Sequence, residues 1–188
     1  MAPHEARRRL RVLREGVAAR VADTLAARPW WPCRRGCDLC CRRLARPLAI
    51  SAAEWGDLAE GLAALPPAER ATALARARGL ARDEAAGALE GAHVRCPFLD
   101  EAEGACSLYE HRPLACRTYG FYVARDHDQH CDLVTREVEE RGDDLIWGNA
   151  DALRVAAEGA LGEPLPFAEG LRRLEAALAR SGGPAGTT

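Results

Sequence analysis

The feature that most constrains this chain is a run of four cysteines in nine residues, Cys-Arg-Arg-Gly-Cys-Asp-Leu-Cys-Cys, from Cys33 to Cys41. Thiolates bind soft and borderline metals, and the two-residue spacer between Cys37 and Cys40 lets two sulfurs reach one ion. Four more cysteines follow at wider spacing: Cys96, Cys106, Cys116 and Cys131. We therefore expect the fold to bring the early and the late cysteines together around a metal.

The spacing leaves the kind and number of metal centres open. Nine, nine and fourteen residues separate the later cysteines, which is not the paired short motif of a zinc finger, ribbon or RING domain. Loops that each deliver one ligand would fit zinc, and would equally fit an iron–sulfur cluster held by four cysteines. Neighbouring side chains tend to point apart, so Cys40 and Cys41 favour two centres, or one ligand beside one buried thiol. Two four-sulfur sites, one site with spare thiols and a bridged binuclear site all remain compatible.

Three other interpretations of the cysteines compete with metal binding. Buried free thiols are common one at a time, but four within nine residues argue against that explanation. A disulfide framework is a second interpretation, yet Arg7, Arg8 and Arg9 are not followed by the apolar stretch of a secretory signal. A nucleophilic cysteine would need a histidine base, and nothing singles out one thiol for that role. The sequence favours a metal.

Length and charge narrow the class of protein. With 188 residues, 48% of them apolar, the chain can bury an ordinary core within one domain. A formal charge of -2 gives no drive toward nucleic acid or an anionic membrane, and no run reaches the roughly 18 apolar residues of a membrane span. We predict a cytoplasmic protein, because thiols stay reduced there, with a single domain over residues 1–180 and a flexible tail over 181–188.

Apolar periodicity predicts a mainly α fold, in which helices frame an irregular cysteine-rich lobe with at most a small hairpin. A capping box, Ser51-Ala-Ala-Glu54, should begin one helix, and the turn-prone residues 100–104 should connect the hairpin strands. An extended segment is expected over 119–123. The predicted helices cover residues 5–27, 51–65, 68–89, 132–140, 150–161 and 167–179.

Histidines and tryptophans also lie near the cysteines in the sequence. His127 and His130 lie just before Cys131 and could either bind the metal or face water, whereas His111 is expected to face water. Trp30 and Trp31 should cap the core beside the cysteines.

Three stretches carry a family resemblance: Gly36-Cys37-Asp-Leu-Cys40-Cys41, Cys96-Pro-Phe-Leu99, and Cys106-Ser-Leu-Tyr-Glu-His-Arg-Pro-Leu-Ala-Cys116-Arg-Thr-Tyr119. They resemble the YkgJ-type cysteine-cluster family, a zinc- or iron-chelating domain known for a CxxCxxCC signature. One departure is that three residues, not two, separate Cys33 from Cys37. The resemblance implies that zinc or iron is held by eight cysteines, here Cys33, Cys37, Cys40, Cys41, Cys96, Cys106, Cys116 and Cys131.

We predict a metal-binding protein for zinc or iron, with a [4Fe–4S] cluster as one form that iron can take. The alternative is an iron–sulfur enzyme, either redox or similar to the flagellin lysine-N-methylases, which look like relatives with the same cluster. A disulfide-stabilised interaction module is a third interpretation. Whether the chain is an enzyme, and which protein it meets, stays open.

Two arginines in the third stretch are predicted to support the site. Arg112 or Arg117 can donate to a thiolate or pair with Glu110, which would offset the negative charge of four thiolates. We expect replacement of Arg117 to lower metal retention more than replacement of Arg76 on the long helix.

Overall fold

The computed structural model describes residues 2–91, 93–124 and 131–181, and the fold in these ranges is mainly α, as predicted. The helices are α1 Pro3–Ala27, α2 Leu39–Arg42, α3 Ala52–Ala64, α4 Pro67–Ala85, α5 Leu114–Thr118, α6 Asp132–Arg141, α7 Ala150–Leu161 and α8 Phe167–Ser181. The strands are β1 Leu99–Asp100, β2 Ala105–Cys106, β3 Tyr122–Val123 and β4 Gly148–Asn149, and Tyr109–His111 forms a 3-10 turn. In these ranges, no helix has both the length and the apolarity to cross a membrane.

The chain divides into two compact units, each made of two separate stretches of sequence. Unit 1 is Met1–Cys37 with Arg112–Gly162, and unit 2 is Asp38–His111 with Glu163–Thr188. One boundary therefore falls inside the first cysteine motif. The single domain over residues 1–180 stays a prediction, and the predicted tail lies outside the described residues except for Ser181, where α8 ends.

Unit 2 is built on helices α3, α4 and α8. The predicted capping box begins α3: Ser51 accepts from the backbone N–H of Glu54, and the Glu54 carboxylate accepts from the backbone N–H of Ser51 at 2.9 Å. Trp55 of α3 packs edge-on against Phe167 of α8, with ring centroids 5.4 Å apart. A Cβ at Gly170 would lie 1.9 Å from the Trp55 indole, so only glycine admits the ring there. These contacts bury the apolar faces of both helices.

Unit 1 is built on α1, which packs against α5 and α7. After α1 ends, Trp31 is 1% exposed and stacks on Phe121 at 5.8 Å between ring centroids. Cys33 and Cys131 pack in the same buried group. The prediction that this tryptophan caps the core beside cysteines is confirmed. Nearby, Arg28 and Asp143 form a largely buried ion pair at 2.6 Å.

Two local predictions differ from the structure, and one strand pair was not predicted. The long helix α4 ends at Ala85 rather than at residue 89, because Gly87 adopts a φ of +68° that interrupts the helix. The extended segment predicted for 119–123 is shorter, since α5 and the turn after it occupy residues up to Phe121. A two-residue parallel pair, β3 with β4, joins segments too short to show a strand pattern in the sequence.

Candidate metal centre

All eight cysteines lie in the described residues and carry thiols, and each unit contains four of them. The first cluster, in unit 2, is Cys40, Cys41, Cys96 and Cys106. The second cluster, in unit 1, is Cys33, Cys37, Cys116 and Cys131.

The short helix α2 presents two members of the first cluster side by side. A hydrogen bond between the two thiols raises the pKa of Cys40 and lowers that of Cys41. Consecutive helical residues are about 100° apart around the axis, and this angle still lets two flexible thiols meet. Arg42 donates from Nε to Asp38 Oδ2 at 2.6 Å, which ties the two ends of the helix together.

An antiparallel bridge brings Cys96 to this helix. Leu44 and Val94 exchange two backbone hydrogen bonds of 2.8 and 2.7 Å. The backbone N–H of Cys96 then donates to the carbonyl oxygen of Cys41 at 2.8 Å. Cys96 is buried, and its thiol hydrogen-bonds with that of Cys41. The backbone pairing therefore fixes the contact between a sulfur of the early motif and one of the late cysteines.

The predicted hairpin carries the last member of the first cluster. In its register, Cys106 of β2 pairs with Leu99 of β1. The Asp100 carboxylate accepts from two loop amides at 2.9 and 3.2 Å, and Gly104 supplies a φ of +61° at the end of the loop. A Cβ on Gly104 would lie 3.5 Å from Asp38 Oδ2, so the hairpin loop rests beside the start of α2.

The electrostatics of the first cluster disfavour free thiolates. The hydrogen bond from Cys40 lowers the pKa of Cys41, but the hydrogen bond with Cys96, burial, and the charges of Cys96 and Cys106 together raise it to about 12. The hydrogen bond with Cys41, burial and the Cys41 charge raise the pKa of Cys40 well above its usual range. A bound cation would reverse this, because it stabilises thiolates directly. The donor set therefore fits a thiophilic metal such as zinc or iron.

The sulfurs are close but not yet arranged as ligands. In the described part of the chain, no three Cys, His, Asp or Glu side chains form a group that could hold an ion as they stand. Tetrahedral zinc needs four sulfurs at about 2.3 Å from one point.

In the second cluster, Cys33 contacts the turn after α5. A Cβ on Gly120 would lie 2.6 Å from Cys33 Sγ, so this thiol rests directly on the glycine backbone. Cys116 precedes Gly120 by four residues, and the backbone is helical as far as Tyr119; residues four apart share a helix face. Cys131, 6% exposed, packs in the same buried group as Cys33.

The remaining member, Cys37, closes a tight turn that begins at Arg34, the residue after Cys33. Its backbone N–H donates to the carbonyl oxygen of Arg34 at 3.0 Å, and Gly36 within the turn has a φ of +93°. Such a turn brings residues three apart to within about 7 Å. Three residues separate Cys33 from Cys37, one more than in a CxxC motif, and all three lie in this turn.

The histidine predictions have different outcomes. His111 is about one-third exposed and places Nδ1 3.3 Å from Asp57 Oδ2, with its ring against Gly61. It is held by protein contacts rather than facing water as predicted. His127 and His130 lie outside the described residues.

Of the two arginines, Arg117 donates from Nε to the carbonyl oxygen of Arg112 at 2.8 Å, and so holds the turn at Pro113. Its contact with a thiolate stays a prediction. Arg76 is not the neutral comparison that we expected, because its Nη1 donates to the carbonyl oxygen of Leu99 in the hairpin at 2.7 Å.

Three supporting residues were missed in the sequence. Asp38 and Arg42 are opposite charges four residues apart, a spacing that indicates a pair on one helix. Gly120 stands in a segment that was expected to be extended, where an isolated glycine can mark a close backbone approach.

Comparisons with known proteins give one match. No curated protein and no solved structure matches the chain. A family model, CxxCxxCC, described as "Putative zinc- or iron-chelating domain", matches residues 32–136, which is more than half of the chain and includes all eight cysteines. The chain therefore belongs to the CxxCxxCC family of zinc- or iron-chelating domains.

Proposed function

We propose that this protein binds zinc or iron in the cytoplasm through the thiolates of its eight cysteines. The observation that supports this most is the backbone hydrogen bond of 2.8 Å from the N–H of Cys96 to the carbonyl oxygen of Cys41, which brings a late cysteine to the early motif. The neighbouring Cys96 and Cys106 also raise the pKa of the Cys41 thiol. Residues 65 positions apart in the sequence thus share one group of sulfurs. Soft thiolate donors select zinc and iron over magnesium or calcium.

The chain itself supplies ligands and their positions. The hairpin and the bridge between Leu44 and Val94 hold the first cluster, and the metal would supply the positive charge that lets its thiols lose their protons. Binding therefore releases protons and stabilises the folded state. A structural centre and a role in metal handling both follow from this chemistry.

Elemental analysis of anaerobically purified protein tests the proposal. We expect stoichiometric zinc or iron in the natural chain and a clear loss in Cys41→Ser. Ser107→Ala, beside Cys106, is the matched control and should keep its metal. Natural protein without bound metal, or Cys41→Ser with the full content, would contradict the proposal.

The iron form of this proposal includes a [4Fe–4S] cluster. Four cysteine thiolates are the usual complement of such a cluster, and each unit contains four cysteines. This favours, as the second candidate, an iron–sulfur enzyme of redox or protein-methylase-like type. Broad visible absorption with stoichiometric iron would support an iron–sulfur cluster, and an anaerobic redox titration would test electron transfer; colourless protein with zinc would refute both.

A further inference from the structure

The backbone holds two cysteines of the first cluster against each other. The N–H of Cys96 donates to the carbonyl oxygen of Cys41 at 2.8 Å, and the same pairing continues in two hydrogen bonds between Leu44 and Val94. Residues that are joined across such a pairing have Cα atoms about 5.5 Å apart. Disulfides span Cα distances of about 4.4–6.8 Å. The pairing therefore keeps Cys41 and Cys96 within the range that a disulfide needs.

The side chains of this pair also face each other. A hydrogen bond between the two thiols is one of the interactions that raise the pKa of Cys41 to about 12. Cys96 is 7% exposed, whereas Cys41 is half-buried. A small oxidant in the solvent would therefore reach the sulfur of Cys41 more readily than that of Cys96.

The neighbouring thiol of Cys40 is a poorer disulfide partner for Cys41. A trans peptide bond joins these two residues, and consecutive Cα atoms across such a bond are about 3.8 Å apart. That separation is below the range of disulfides. A disulfide within α2 would therefore require distortion of the helix, whereas one from Cys41 to Cys96 joins two segments that are already paired.

We propose that Cys41 and Cys96 form a redox modification site, at which a peroxide converts the two thiols into a reversible disulfide and so removes two metal ligands. The backbone hydrogen bond between the two residues is the geometry behind it. The disulfide stands on this geometry alone. The loss of metal binding rests on the proposed function, since it regulates the same thiols.

The reaction consumes one hydrogen peroxide. The sulfur of Cys41 attacks one peroxide oxygen as a thiolate, the O–O bond breaks, and Cys41 becomes a sulfenic acid while the first water leaves. The sulfur of Cys96 then attacks the sulfenic sulfur, the S–O bond breaks, and the second water leaves as the S–S bond forms. Two thiols are oxidised, and their two protons end in the two waters to which the peroxide is reduced.

Disulfide mapping tests the pair. Metal-free natural protein is oxidised with hydrogen peroxide and, separately, brought to equilibrium in glutathione redox buffers, because the raised pKa of Cys41 makes direct oxidation slow. The remaining thiols are alkylated before digestion. Trypsin leaves Cys96 and Cys106 in one peptide, so a second cut after Glu101 is used to separate them. We expect one main crosslink, from the tryptic peptide 36–42 to the peptide that begins at Cys96.

Single variants identify the sulfur in the first peptide. Cys41→Ser should lower the crosslinked fraction of Cys96 by about 10-fold or more. Cys40→Ser is the matched control, because it removes the neighbouring thiol of the same peptide and should keep the crosslink. A main crosslink to any other cysteine, a crosslink that persists in Cys41→Ser, or none with either oxidant would overturn the inference. Fragment spectra of the natural chain assign the same sulfurs, so a variant that fails to fold leaves the test intact.

Metal uptake separates this inference from the proposed function. The reduced and the disulfide-bonded protein, both metal-free, are titrated anaerobically with Zn²⁺ and with Fe²⁺ in competition with a chelator. We expect the reduced protein to bind at least one metal and the disulfide form to bind that metal about 10-fold more weakly or worse, with a phosphine reductant restoring the affinity.

The outcomes differ for the two proposals. A reduced protein that binds neither metal overturns the proposed function, while a mapped crosslink would still support the disulfide. A protein that binds metal but forms no crosslink between Cys41 and Cys96 overturns the present inference alone. Equal metal affinity of the two forms overturns the link between the disulfide and metal binding.

Discussion

Substitution of Gly120 by alanine tests the packing of the second cluster at one atom. The added Cβ would lie 2.6 Å from Cys33 Sγ and 2.7 Å from Cys33 Cβ, and ordinary contact begins at 3.4 Å. Gly120 does not have a positive φ, so alanine introduces no backbone strain and the effect is steric alone. Cys33 must move by roughly 0.8 Å or more, and overpacking of this kind costs about 1–3 kcal/mol.

Urea unfolding followed by circular dichroism measures this cost, and zinc content after reconstitution measures its effect on the site. Gly159→Ala is the control, because nothing lies within 4 Å of its added Cβ. Gly159 is inside α7, so alanine should raise the free energy of unfolding by about 0.5–1 kcal/mol. If Gly120→Ala unfolds at the same urea concentration as the natural chain and keeps its zinc, Cys33 does not rest on this glycine.

Three further substitutions follow from the structure. Ser51→Ala removes a helix cap and a donor to the buried Glu54 carboxylate; we expect a loss of about 1–2 kcal/mol in urea unfolding, and an unchanged midpoint would refute the cap. Arg117→Lys cannot keep the guanidinium bond to the turn and should lower metal retention more than Arg78→Lys on α4, measured by chelator competition; equal retention would contradict a supporting role. Gly36→Ala places a side chain at a φ of +93° and should cost about 1 kcal/mol and weaken zinc binding; equal zinc affinity would show that the turn does not position Cys37.

Six of the eight helices in the described residues were predictable because local signals specify them, whereas the short helices α2 and α5 were not predicted. The capping box at Ser51 begins α3 as expected, and periodic leucines gave α8 and α7 nearly to the residue. The hairpin followed from its turn residues. Each of these signals acts over a few residues, so the sequence alone contains it.

The grouping of the cysteines was not predictable in the same way. The contact of Cys96 with Cys41 depends on the pairing of Leu44 with Val94. These two residues are 50 positions apart, and no local sequence signal indicates that they pair. Spacing also suggested that Cys37 and Cys40 share an ion, and this stays a prediction. Tertiary packing decides such contacts, and the apolar periodicity of the sequence contains no information about which distant segments pack together.

The interleaved order of the two units has a consequence for biosynthesis. Each unit joins an early stretch to a late one, and α8 supplies Phe167, Leu171 and Leu174 to the core of unit 2. Cys33 and Cys37 leave the ribosome long before Cys116 and Cys131 are synthesised. Compact units fold as wholes during translation, so unit 1 is completed only after its late stretch has emerged. Under the proposed function, metal loading would therefore follow synthesis of the late cysteines, and oxidants would meet uncovered nascent thiols in the interval before it.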